Sequence, residues 1–135
     1  MMLKQRTNVE ILTEFPQDTP VISVGEDNSV FSSLAASLAE IRKLRGVMGY
    51  ILRNNTSAII DLADQERLIE YATLLSQITE SSNEMARQFN LADIESVLVE
   101  CKFAKVLCMS ICDNRIGVFM ERTATHAWII KRILL

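Results

Sequence analysis

Two short apolar runs around four polar residues constrain this chain more than anything else in it. Gly46-Val47-Met48-Gly49-Tyr50-Ile51-Leu52-Arg53 and Ala58-Ile59-Ile60-Asp61-Leu62 flank Asn54-Asn55-Thr56-Ser57. This is the pattern of a β-hairpin whose loop is a little longer than the tightest type. The first run is apolar at both parities, with Val47 and Ile51 on one face and Met48, Tyr50 and Leu52 on the other. A strand that is apolar on both faces has to be covered from two sides. The hairpin therefore belongs in the middle of a layered structure.

Helical patterns lie on both sides of it. Phe31, Leu34, Ala35, Leu38, Ile41 and Leu44 recur at spacings of three and four, which places them on one stripe. Ser29 or a neighbour supplies the N-cap, Arg42, Lys43 and Arg45 fall in the last turn, and Gly46 provides the stop. After the hairpin a longer helix runs from about Asp64 to Asn90, with Asp61 and Asp64 at its entry as capping candidates. Its stripe of Leu68, Tyr71, Ala72, Leu75, Ile78, Ser82, Met85, Ala86 and Phe89 is widened by a row of Ile69, Leu74 and Ile78. That is more apolar width than one sheet face uses; it reads as a broad core face or as a helix that covers its sheet and also meets a partner.

The last third reads as three strands and a helix. Ile94 to Cys101 alternates with one dry and one mixed face, as an edge strand does. Ala104 to Cys112 is apolar at both parities, Asp113-Asn114 makes a turn, Arg115 to Glu121 is a fifth strand, and Arg122 to Leu135 closes the chain as a helix. The order αββαβββα gives an α+β protein with a five-stranded, mostly antiparallel sheet and helices on both faces. Residues 1–29 contain both prolines and account for the whole net charge of −3; they read as an N-terminal arm, and residues 30–135 as the domain.

Composition removes several functions. With 135 residues, 49% hydrophobic, a core is available without metal or disulfide staples. A net charge of −3 does not suit nonspecific phosphate-backbone binding, so no nucleic-acid partner is expected. No apolar run approaches a membrane span, and Met1 to Glu10 lacks a signal-peptide core, so the expected address is cytoplasmic. Cys101, Cys108 and Cys112 read as reduced, partly buried thiols. Cys108 and Cys112 would sit roughly 13 Å apart in a strand, too far to share a zinc ion.

Catalysis has little to work with. His126 is the one histidine, and no acid follows it on its own helix. Gly46-x-x-Gly49 opens a strand, whereas phosphate loops open a helix. No catalytic residue, cofactor or metal site is expected.

The sequence Leu38-Ala39-Glu40-Ile41-x-x-Leu44-x-Gly46-Val47-x-Gly49-Tyr50-Ile51-Leu52, with the order of elements, resembles the Roadblock family, which includes dynein light-chain, bacterial polarity-regulator and lysosomal-scaffold proteins. The resemblance covers about Phe31 to Leu135. Asn54-Asn55-Thr56-Ser57 departs from the Asp-Gly turn of many relatives. The resemblance implies a non-enzymatic dimer, with itself or a paralogous Roadblock subunit, that pairs its third strand edge to edge, packs its long helices together and engages a Ras-like small GTPase or scaffolds a complex. Leu68, Tyr71, Leu75, Ile78, Val97 and Val99 are the expected interface. An alternative is a small-ligand sensor on a PAS- or profilin-like sheet, with Tyr50, Cys108, Met109 and Trp128 lining a pocket under the closing helix.

Overall fold

The computed structural model describes residues 26–134; the expected arm lies almost wholly outside the described residues. The elements are α1 (Glu26–Ile41), β1 (Val47–Arg53), β2 (Ala58–Leu62), a 3-10 turn (Gln65–Arg67), α2 (Leu68–Gln88), β3 (Ser96–Glu100), β4 (Ala104–Ile111), β5 (Asn114–Glu121) and α3 (His126–Leu134). The strands form one antiparallel sheet in the order β2-β1-β5-β4-β3. The two doubly apolar runs, β1 and β4, flank β5 at its centre, and β2 and β3 are the edges.

Each face is closed by a different set of helices. On one face Leu34, Leu38 and Ile41 of α1 and Ile129 and Ile133 of α3 pack on Tyr50, Leu52, Leu107, Met109, Ile116, Val118 and Met120. On the other, α2 alone covers Ile51, Leu62, Val106, Cys108 and Phe119. Simple alternation along β1 fails at its start. The pairing of β1 with β5 shifts between Val47 and Gly49, and the bulge at Met48 turns Val47 onto the α1 face and Met48 toward α2. Gly49 is required beside it, because a Cβ there would stand 2.5 Å from the Asp61 carbonyl oxygen.

Several boundaries differ from the sequence reading. α1 already includes Glu26, so Ser29 lies inside the helix, and it ends at Ile41, so Arg42, Lys43 and Arg45 follow it. Arg42 has another use: its guanidinium donates to the Val47 carbonyl at 3.1 Å and pairs with Asp61 at 3.2 Å. That pair ties the turn after α1 to the edge strand β2 and removes Asp61 from capping. Asp64 does cap, accepting from the Glu66 amide at 3.2 Å. Arg122 to Thr125 are outside α3, which starts at His126.

Two hairpins hold the strand ends. Asn54 Oδ1 accepts from the Thr56 and Ser57 amides at 2.9 Å each, an Asx turn that replaces the Asp-Gly pair. The β4–β5 turn sits one residue earlier than expected, with Cys112 and Asp113 at φ 48° and 66°. Asn114 is then the buried first residue of β5, accepting from Asn54 at 3.1 Å.

Lys105 of β4 is the one buried cation among the described residues, 5% exposed. Its Nζ donates to the Ala124 carbonyl at 2.5 Å and lies 3.0 Å from His126 Nδ1, fastening the start of α3 to the sheet. His126 therefore serves as a structural partner of an amine.

Candidate functional site

α2 is seated by one glycine. A Cβ at Gly117 would lie 2.5 Å from a Leu75 methyl, so the missing side chain in β5 is the space that Leu75 fills. Tyr71 stacks on Phe119 with centroids 4.6 Å apart and planes 15° apart. Leu68, Ala72, Ile78 and Val97 pack around the same cluster. Of the expected interface residues, the structure thus brings Leu68, Tyr71, Leu75, Ile78 and Val97 together, with Val99 half-buried two residues along β3. Leu75 itself is 4% exposed, closed under the helix against Gly117.

At 100° per residue, the remaining apolar side chains of α2 are not spread evenly. Leu74, Ile78 and Met85 fall on one flank within roughly 40° of one another, with Phe89 beside them just past the helix end. Leu74 is 37%, Met85 58% and Phe89 68% exposed, and Leu91 extends the patch into the loop. Ile69 stands on the opposite flank and does not belong to that row. α2 makes its closest approaches to β3 and β4, so the helix leans toward the β3 side of the sheet. β3 is paired to β4 alone, leaving the hydrogen-bonding groups of Ser96–Glu100 open on its outer side. The flank of α2 that faces the β3 side carries Thr79 and Asn83, which line one small pocket with Val97 and Cys108, so Leu74 and Met85 look away from the open edge.

The sequence model of the Roadblock/LC7 domain matches residues 33–116. The chain belongs to the Roadblock/LC7 family. Among solved structures, the Roadblock/LC7 domain from Streptomyces avermitilis superposes with a TM-score of 0.60 at 14% identity, covering 78% of this chain and 87% of that one. The gliding protein mglB from Thermus thermophilus gives 0.59 at 12% identity, covering 77% and 82%. At these identities the likeness is one of fold. No curated protein matches by sequence.

The pocket expected for a small-ligand sensor is not formed by the residues expected to line it. Tyr50 and Met109 face α1 and α3, whereas Cys108 faces α2, and Trp128 projects outward from α3. The four side chains do not share a pocket. The thiols are also sorted: Cys108 is buried, while Cys101 and Cys112 are exposed, which corrects the expectation that all three are partly buried. Among the described residues no group of three His, Cys, Asp or Glu side chains is placed to hold a metal ion. No described helix is long and apolar enough to cross a membrane.

Proposed function

We propose that this Roadblock/LC7 protein is a non-enzymatic interaction module. It forms a dimer through the outer edge of β3 and the side of α2 next to that edge, and the dimer docks a Ras-like small GTPase or scaffolds a complex. The observation that carries the reading is the outer edge of β3, open along Ser96–Glu100, beside a helix that leaves apolar side chains exposed. β3 has five residues, and strand pairing over so short an edge is too little surface for a stable association, which needs about 800 Å² per partner. The side of α2 next to β3 supplies the rest. The opposite edge, β2, has Asp61 engaged by Arg42.

The GTPase part rests on family resemblance. It is tested by passing purified Ras-like GTPases of the same genome, loaded with GDP or a GTP analogue, over the immobilised chain. Retention of one of them in a nucleotide-dependent way is expected, and retention of none overturns it. Sedimentation at micromolar concentrations tests the dimer independently: a pure monomer in the absence of any paralogous subunit rules out self-association.

A further inference from the structure

The end of the sheet beneath the last turn of α2 holds an arrangement that neither the family nor the dimer explains. Arg53 of β1 is the direct cross-strand partner of Arg115 of β5. Both stand two residues beyond positions that face α2, Ile51 and Gly117, so both guanidiniums rise from the α2 face. Ser110 of β4 is the next residue in the same row, opposite Arg115. Like charges directly opposite in an antiparallel pair are destabilising. Among the described residues neither guanidinium has an ion pair or a side-chain hydrogen bond to offset that: the four ion pairs are Arg42–Asp61, Lys43–Glu40, Arg67–Glu70 and Arg87–Glu84.

The pair opens into a cleft of about 870 Å³, into which Asn83 and Arg87 reach from α2. Asp93, Glu95 and Asp113 also line it, exposed as Arg115 is, and none comes within 4.0 Å of either guanidinium. Three arginines and three acids line the cleft; Arg87 is paired with Glu84, so among the described residues Arg53 and Arg115 are the lining cations without an ion pair. The volume is in the range of small-molecule sites.

We propose that this cleft binds a small phosphorylated molecule, with its phosphate bridging Arg53 and Arg115. Two guanidinium forks present paired donors in two planes, and one carboxylate has only two oxygens to meet them. A phosphate monoester carries three terminal oxygens and close to two negative charges at neutral pH, which matches both forks and both charges. Ser110 and Asn83 are placed to bond the rest of the molecule, for which the cleft has ample room. The net acidity of the chain argues against an extended polyanion such as nucleic acid in the same place. The proposal does not depend on dimerisation or on a GTPase.

The test is calorimetric titration and thermal melting of the full chain with orthophosphate, pyrophosphate and malonate at constant ionic strength. Saturable binding of pyrophosphate, with a raised melting temperature, is expected. Arg53→Gln and the more exposed Arg115→Gln should each weaken it about tenfold or more, while Lys131→Gln on α3 leaves it unchanged. Without ligand, both arginine variants should melt no lower than the parent, since either removes one of two like charges. Binding by malonate as tight as that by pyrophosphate would refute the phosphate assignment. Lack of saturable binding at millimolar pyrophosphate overturns the site. So does an undiminished response in both variants, or a lowered melting point in both, which would make the guanidiniums structural.

Discussion

Gly117 sets the distance between α2 and the sheet, and its replacement is the sharpest residue-level test of the fold. In Gly117→Ala the new methyl would meet Leu75 at 2.5 Å, and overpacking of this kind costs about 1–3 kcal/mol. Leu75→Ala should cost about 2–5 kcal/mol alone. In the double variant the added methyl enters the vacated space, so urea denaturation should show the two losses summing to more than the double variant's loss. The sequence displays a lone glycine in a strand, but nothing in it says which helix residue lies above; that depends on how α2 crosses the sheet. Cys108, on the same face, titrates abnormally: burial pushes its thiol up to about 11 from 9.0. The folded chain then holds this proton more tightly than the unfolded chain. The stabilisation is complete below about pH 9 and is lost as pH rises toward 11. Comparing the pH dependence of stability in the parent and in Cys108→Ala across that window should show a shallower decline in the variant. A thiol reagent at neutral pH should modify Cys101 and Cys112 rapidly and Cys108 only on unfolding.

Among the elements, α2 is where the sequence was most and least informative. Its existence, length and apolar excess are plain from spacing. The division of that excess between core and surface is not, because Leu68, Tyr71 and Leu75 look the same in a periodic stripe as Met85 and Phe89 do. Only the position of the helix over Gly117 separates them. The separation predicts that Leu74→Glu with Met85→Glu should leave the melting temperature nearly unchanged, since neither side chain is in the core. A large drop in melting temperature would place them inside instead. Helix ends were misread for a related reason. Gly46 marks where the chain turns, at φ 90°. The preceding four residues leave the helix because Arg42 is held by Val47 and Asp61, contacts that do not exist until the sheet has formed.

For the whole molecule, the order αββαβββα was legible because strand and helix periods differ and each run is bounded by turn residues. The strand order was not, nor was the facing of Val47 and Met48, which one bulge reverses. The row of Arg53, Arg115 and Ser110 was hidden for the same reason: these residues are up to 62 positions apart in number and become neighbours only through register.

Lys105 gives this architecture a built-in reporter. Its amine is enclosed between β4 and the first turn of α3, bonded to Ala124 and beside His126. Amine acylation requires a free, accessible lone pair, so a reagent that labels surface lysines within minutes should reach this one only when α3 lifts away. The labelling rate of Lys105, followed by mass spectrometry against that of exposed Lys102 or Lys131, would then measure how often one helix detaches while the rest of the sheet stays intact.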